Sequence, residues 1–180
     1  MRGDLQCIGF AQNLPRRIAA SATRYEVGEP FHSLVNRTTG DADVNTYVLA
    51  AADTPVIAAL TASTHQFGGI AISHCLPFST GTVVAHKAQS ANPVPMVGRI
   101  RGKAETAADV DTETEITALI NNVVLIDYAA TGAIDGGELY TIKSAASANT
   151  SGLEIVDGNV ARRTLDVLVH AIAYRSEIQA

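Results

Sequence analysis

The feature that most constrains the fold of this 180-residue chain is a series of short apolar runs, each bounded by Gly, Pro, Asn or Asp. From about residue 25 onward the runs are rich in Ala and in β-branched residues, and the β-branched residues favour strands. The bounding residues permit tight reversals of the backbone. Many short strands separated by turns are typical of an antiparallel sandwich or barrel. The sequence therefore predicts a mainly β fold of one of these two kinds.

The predicted strands follow one another closely along the chain. They cover residues 44–50, 56–61, 69–75, 82–88, 94–103, 123–128, 138–143, 153–156 and 164–174. Hairpin turns are predicted at residues 39–41, 67–69, 135–137 and 157–159, because Gly supplies the positive φ that tight hairpins need. Such hairpins favour antiparallel pairing.

One short helix is predicted to begin after Thr112. Thr112 and Glu115 form a capping-box pattern, in which the hydroxyl and the carboxylate satisfy exposed backbone amides. Ile116, Leu119 and Ile120 then follow at helical spacing. We interpret this helix as an insertion or crossover in an otherwise all-β domain.

Residues 1–24 differ in texture from the rest of the chain. They are mixed and aperiodic, and they match neither a strand nor a strong helix template. We interpret them as an extended N-terminal arm, followed by a β-rich domain at residues 25–180. The segment has little apolar surface to offset the entropy lost on ordering, so we expect it to become ordered when it binds a partner.

Alternation within two predicted strands assigns their faces. In the run 94–101 one side carries Val94, Met96, Gly98 and Ile100, and the other carries Val97, Arg99 and Arg101. The run 164–174 carries apolar residues on both sides, with Leu165, Val167, Val169 and Ala171 opposite Leu168, Ile172 and Tyr174, which stand beside Asp166 and His170. Such a strand is either central in a sandwich or covered on its second face by another subunit. Leu168, Ile172 and Tyr174 are therefore candidate subunit-interface residues.

Motifs for catalysis are absent from the sequence. It holds no GxSxG elbow, no phosphate-binding Gly loop and no His pair at metal-ligand spacing, and most of its acidic residues fall in turns or beside the helix. We therefore predict a protein that is not an enzyme, with no catalytic or metal-ligating residue and no cofactor. The alternative is a ligand-binding or enzymatic β-barrel whose site is assembled from distant strands.

Charge and hydropathy narrow the possible partners. The net charge of −5 argues against nucleic acid and anionic membranes, which attract clustered Lys and Arg. No apolar stretch approaches the roughly 20 residues that span a bilayer. Cys7 and Cys75 form no metal-ligand spacing and are expected to be free thiols in a reducing cytoplasm.

The chain as a whole resembles bacteriophage capsid decoration proteins, also called cement proteins, which are small β-rich proteins that dock on assembled capsids. The likeness is one of texture and spacing over about three quarters of the chain. It is carried by residues 25–31, 51–57, 67–71, 111–116, 125–128, 150–158 and 165–175.

This resemblance implies a structural virion protein, made in the host cytoplasm and located on the capsid surface. Its expected partner is the major capsid protein, and a homotrimer is the expected oligomer. Arg16, Arg17 and Arg24 of the arm are then candidate contacts with an acidic capsid surface, while the C-terminal strand could close a cyclic trimer. Another structural role, such as a head fibre or tail component, is the alternative within the same class.

Overall fold

The computed structural model describes residues 5–18, 28, 30–34, 46–49, 65–72, 86–124, 126–128, 140–144 and 152–174. Within these residues the chain is mainly β, with largely antiparallel sheets and one α-helix, as the sequence predicted. The predicted strand at 56–61 and the predicted turns at 39–41 and 135–137 lie outside the described residues. The strands are β1 (Gln6–Ile8), β2 (Ala11–Ile18), β3 (Pro30–Leu34), β4 (Thr46–Leu49), β5 (His65–Ala71), β6 (His86–Pro93), β7 (Arg99–Lys103), β8 (Ile126–Tyr128), β9 (Tyr140–Ile142), β10 (Leu153–Asn159) and β11 (Thr164–Val169).

A four-stranded antiparallel sheet with the strand order β1-β7-β11-β10 forms one layer of the fold. Alternation gives this sheet one apolar face. Ile100 in β7 and Leu165 and Val167 in β11 are buried, whereas Arg99 and Arg101 on the opposite side of β7 are half-buried. The sheet therefore has an inner apolar face and an outer polar face.

Five further strands pair in the order β2-β4-β3-β5-β6. The last strand in this order, β6, also pairs with the first, β2. Their pairings are antiparallel except that of β2 with β4, which is parallel. The antiparallel strands β8 and β9 form a separate two-stranded sheet. Because β1 and β2 follow each other in the chain, the segment that begins at Leu5 contributes to both of the larger sheets.

The hydrophobic core lies against the inner face of the four-stranded sheet. Leu5 belongs to this core, and a Cβ placed on Gly102 would lie 2.5 Å from Leu5 Cδ2 and 3.2 Å from Ile142 Cδ1. The close approach of these side chains explains the glycine in the middle of β7. Further core residues are Ile70, Val110, Ile116, Val124, Ile126, Tyr140, Leu153, Ile155, Val169 and Ala173.

Helix α1 (Glu113–Leu119) confirms the helix predicted from the capping box. The Thr112 hydroxyl accepts a hydrogen bond from the Glu115 amide at 3.3 Å, and the Glu115 carboxylate accepts one from the Thr112 amide at 2.9 Å. Ile116 is buried and packs on β10, where a Cβ at Gly158 would lie 2.9 Å from Ile116 Cγ2. The helix thus covers the core at the β10 side of the sheet.

The N-terminal segment differs from its sequence-based prediction. Gln6–Ile8 and Ala11–Ile18 form strands, and β2 pairs with β6 over all eight of its residues. The prediction that this segment matches no strand is therefore wrong for these residues, whereas the boundary at residue 24 stays a prediction. Pairing with β6 and β7 supplies the order, and such long-range pairing leaves no periodicity in the local sequence.

The predicted strand 94–103 is shortened by a turn at its start. The amides of Val97 and Gly98 donate to the Val94 carbonyl at 3.2 and 2.7 Å, and Met96 has a φ of 68°. The predicted alternation holds for Ile100, Arg99 and Arg101 but not for Met96, which lies in this turn. β7 therefore begins only at Arg99.

The predicted strand 164–174 ends earlier than expected. β11 stops at Val169, and a 3-10 helix, Ala171–Tyr174, follows it. The amide of His170 donates to the Gly152 carbonyl and the amide of Ala173 to the His170 carbonyl, so the chain turns out of the sheet. The prediction that Leu168, Ile172 and Tyr174 share one strand face is therefore wrong.

Two predicted hairpin turns lie inside strands. Residues 157–159 belong to β10, where the register with β11 shifts between Ile155 and Asp157. Residues 67–69 belong to β5, where Gly69 has a φ of 109° and the register with β3 also shifts. In β5 the glycine marks an irregularity within a strand pair rather than a chain reversal. In β10, Gly158 lies beyond the shift and pairs in register with Leu165.

The thiol of Cys7 is held at the contact between β1 and β6. It donates a hydrogen bond to the Ala91 carbonyl at 3.2 Å, and burial raises the pKa of Cys7 to about 12. The thiolate is the reactive form, so this thiol is expected to be inert in the folded protein.

We expect Cys7 in a Cys75→Ser variant to react with iodoacetamide at pH 8 at least about 100-fold more slowly in buffer than in concentrated urea, because unfolding restores an ordinary thiol pKa near 8.5. Mass spectrometry of samples quenched over time measures both rates. The control is the rate at which a small thiol reacts with iodoacetamide in the same two solutions. Rates within a few-fold of each other would contradict the buried position of Cys7.

Candidate functional site

The outer face of the four-stranded sheet carries two rows of side chains fixed by the strand register. The first row crosses the sheet as Ile8, Arg99, Leu168 and Glu154, each on a different strand. The next row contains Arg101 and Asp166 between Gln6 and Asp157. The face is therefore a fixed array of charged groups with apolar residues among them.

The ion pair between Arg101 and Asp166 anchors this array. Arg101 Nε and Nη2 donate to the two oxygens of Asp166 at 2.6 and 2.7 Å, and the Asp166 side chain is only 3% exposed. The hydrogen bond to Asp166 raises the pKa of Arg101. Both carboxylate oxygens of Asp166 are therefore engaged by one guanidinium, in the bidentate geometry that makes such pairs strong.

His170 links the first row to the turn that precedes β7. Its Nε2 lies 2.6 Å from Glu154 Oε2, and its Nδ1 lies 3.0 Å from Met96 Sδ. The Met96 amide also donates to the Val169 carbonyl at 3.1 Å. The turn is thus fastened to the end of β11 through both backbone and side-chain contacts.

Three large apolar side chains, those of Phe10, Met96 and Val97, are exposed at the end of the sheet where β7 begins and β11 ends. We call these three residues the apolar tip. Their exposed fractions are 72%, 59% and 52%. The loop that carries Phe10 and the turn that carries Met96 and Val97 are joined by a hydrogen bond of 2.9 Å from the Val94 amide to the Phe10 carbonyl. Exposed apolar clusters of this kind mark protein–protein contact sites.

The backbone of the apolar tip is close-packed and locally strained. A Cβ on Gly98 would clash with the Phe10 carbonyl oxygen, and a Cβ on Gly9 would lie 3.2 Å from the Val97 carbonyl oxygen. Met96 adopts a positive φ, a conformation that costs a residue with a side chain on the order of 1 kcal/mol. Strain of this kind is retained where the surrounding contacts determine the conformation and is frequent at functional sites.

A second candidate site is an open cleft of about 380 Å3 beside α1. Asp109, Glu115 and Ser144 are its polar lining residues. The Ser144 hydroxyl donates to Asp109, and Glu115 caps α1, so these groups serve the local structure. Among the described residues, no cluster of three or more His, Cys, Asp or Glu side chains could hold a metal ion.

The structure separates the residues that the sequence singled out. Arg16 and Arg17 lie in β2, where they pair with Ala88 and Lys87 of β6, and Arg24 lies outside the described residues. Leu168 lies in the first row between Arg99 and Glu154.

Ile172 and Tyr174 lie in the 3-10 helix after β11, and their side chains are not among those described. The apolar tip was missed at the sequence level. Its signal was the placement of Phe10 directly after Gly9 and of Met96 and Val97 between Pro95 and Gly98, which puts large apolar residues in turns.

No protein-family model, curated protein or solved structure matches this chain. No helix in the described part of the chain is long and apolar enough to span a bilayer.

Proposed function

We propose that the protein is a structural virion protein that binds the outside of an assembled phage capsid and stabilises the shell. The observation that carries this proposal is the apolar tip, because three large apolar side chains exposed on one rigid end of a sheet suit protein docking. The resemblance of the sequence to capsid decoration proteins supplies the kind of partner, the major capsid protein. The proposed site of action is the surface of the virion.

Binding through a small rigid contact becomes strong when it is repeated. A homotrimer would present the apolar tip three times to a symmetric shell, and linked contacts raise the overall affinity far above that of one contact. We propose this oligomer, with Leu168, Ile172 and Tyr174 as subunit-interface residues. The sandwich or barrel architecture is also part of the proposal, and the pairing of β6 with β2 supports a barrel.

We also propose Arg16, Arg17 and Arg24 as contacts with an acidic capsid surface. Arg16 and Arg17 belong to a strand that pairs along its length with β6, so they would act from a sheet rather than from a mobile arm. A cation fixed in a sheet loses less conformational freedom on binding than a cation in a mobile segment. The proposed function requires no catalytic residue and no cofactor. We propose neither nucleic acid nor a membrane as a partner.

Thermal disruption of shells tests the proposed stabilisation. Empty shells of the major capsid protein encoded in the same genome are heated with and without saturating amounts of this protein, and light scattering reports their disruption. We expect the temperature of disruption to be higher when the protein is present, because a ligand that binds only the intact shell stabilises the shell. An unchanged temperature at saturating concentrations would contradict the proposed function.

A further inference from the structure

We infer that the apolar tip and Arg99 form one docking surface for an apolar depression on a partner protein whose rim carries a carboxylate. This inference rests on the proposed function, which makes that partner the major capsid protein. It assigns the capsid contact to Phe10, Met96, Val97 and Arg99. The chemistry of the partner follows from the charge and the geometry of this end of the sheet.

Arg99 adjoins the apolar tip in both sequence and space. It is the first residue of β7, directly after the turn that carries Met96 and Val97. Its partner across the sheet on one side is Ile8, two residues before Phe10. A partner protein that covers the apolar tip would therefore meet the guanidinium of Arg99 at its border.

Among the residues that the structure describes, the guanidinium of Arg99 has two carboxylates near it and forms a hydrogen bond with neither. Its Nη1 lies 4.0 Å from Asp157 Oδ2 and 3.9 Å from Asp166 Oδ2, both beyond hydrogen-bonding distance. Asp166 is already engaged by Arg101 in two short hydrogen bonds. The Arg99 side chain is 42% exposed, so a carboxylate of a partner protein can approach it, and a guanidinium can bind a carboxylate in bidentate geometry.

The composition and the rigidity of this surface match those of interface centres. Aromatic residues, Met and Arg are enriched in the buried part of protein–protein interfaces. The apolar tip is held by the hydrogen bonds of Val94 and Met96 and by the contact of His170 with Met96 Sδ, so little freedom is lost on docking. A rigid apolar group beside a partly exposed guanidinium fits a depression with an acidic border better than it fits a flat or basic surface.

Two variants test the surface, and a third is their matched control. Phe10→Ser removes the most exposed apolar side chain, and Arg99→Gln removes the cation. Arg162→Gln makes the same charge change at an exposed position in the turn between β10 and β11, at the opposite end of the sheet. Thermal unfolding of each variant establishes that it is folded before its binding is measured.

The probe is the empty shell of the major capsid protein encoded in the same genome, and binding is measured by co-sedimentation over a range of protein concentrations. We expect Phe10→Ser to weaken binding at least about tenfold, as for a central interface residue. Arg99→Gln should weaken it about threefold to fivefold, as for a charge pair at the border of an interface. Arg162→Gln should change it less than about twofold. Arg99→Gln should also reduce the dependence of binding on salt, because one exposed charge pair is lost.

The outcomes separate the inference from the proposed function. Wild-type protein that binds shells, with folded Phe10→Ser and Arg99→Gln variants that bind equally well, would overturn the inference and leave the proposed function standing. Wild-type protein that does not bind shells would overturn both. A lower solution mass of folded Phe10→Ser by light scattering would show that the apolar tip joins copies of this chain, and would also overturn the inference.

Discussion

Replacing Leu5 with Ala is expected to lower the free energy of unfolding by about 3 kcal/mol, the cost typical of a large-to-small change in a packed core. Leu5 is fully buried among core residues, against Gly102 and Ile142. A residue in a mobile arm would contribute almost nothing to this free energy. Urea denaturation followed by circular dichroism measures the difference.

Leu119→Ala is the matched control for the Leu5 variant. Leu119 is only partly buried against the same core, so its truncation should cost about half as much or less. A loss below about 1 kcal/mol for Leu5→Ala would contradict the position of the N-terminal segment in the fold.

The contact with Gly102 offers an independent check on the same packing. Gly102→Ala alone should destabilise the protein, because its methyl group would overlap Leu5. In the Leu5→Ala background the same methyl group enters the space left by the leucine, so the two losses should be less than additive. Additive losses would indicate that Leu5 and Gly102 do not touch.

Replacing Arg101 with Met is expected to lower the free energy of unfolding by about 2 to 3 kcal/mol, because the carboxylate of Asp166 would stay buried without its guanidinium. Met keeps most of the apolar length of the side chain, so the loss reports mainly the missing charge. Urea denaturation at neutral pH measures this loss of free energy. An unchanged m-value, which is the slope of the free energy of unfolding against urea concentration, would show that the fold is retained.

Arg99→Met is the matched control for this ion pair. Arg99 lies on the same strand and the same face, but its carboxylate partners are 3.9 and 4.0 Å away and its side chain is partly exposed. Exposed pairs contribute at most about 1 kcal/mol, so this variant should be close to wild type in stability. Equal losses for Arg99→Met and Arg101→Met would contradict the different roles of the two arginines.

Local signals in the sequence predicted the helix and the character of the sheet faces. The capping box fixed the start of α1 because both of its hydrogen bonds form between residues three apart. The buried sides of β7 and β11 followed from alternation over Ile100, Leu165 and Val167. Each of these features depends on neighbours in the sequence, which is why the sequence shows it.

Features that depend on distant partners could not be predicted in the same way. β2 is a strand through its pairing with β6, although its sequence contains Pro15 and two adjacent arginines. Gly158 had the sequence context of a turn, yet it allows Ile116 of α1 to approach β10. The apolar tip arises only where the Phe10 loop meets the turn before β7, and no single segment of sequence encodes that meeting.

A measurement of saturable binding to shells tests most directly whether this protein is a capsid-binding structural protein. Purified protein of known solution mass is sedimented with empty shells of the major capsid protein encoded in the same genome, and with the same capsid protein kept unassembled. We expect a trimer that co-sediments with shells up to a fixed ratio to capsid subunits. Protein that stays in the supernatant at every concentration would contradict this expectation.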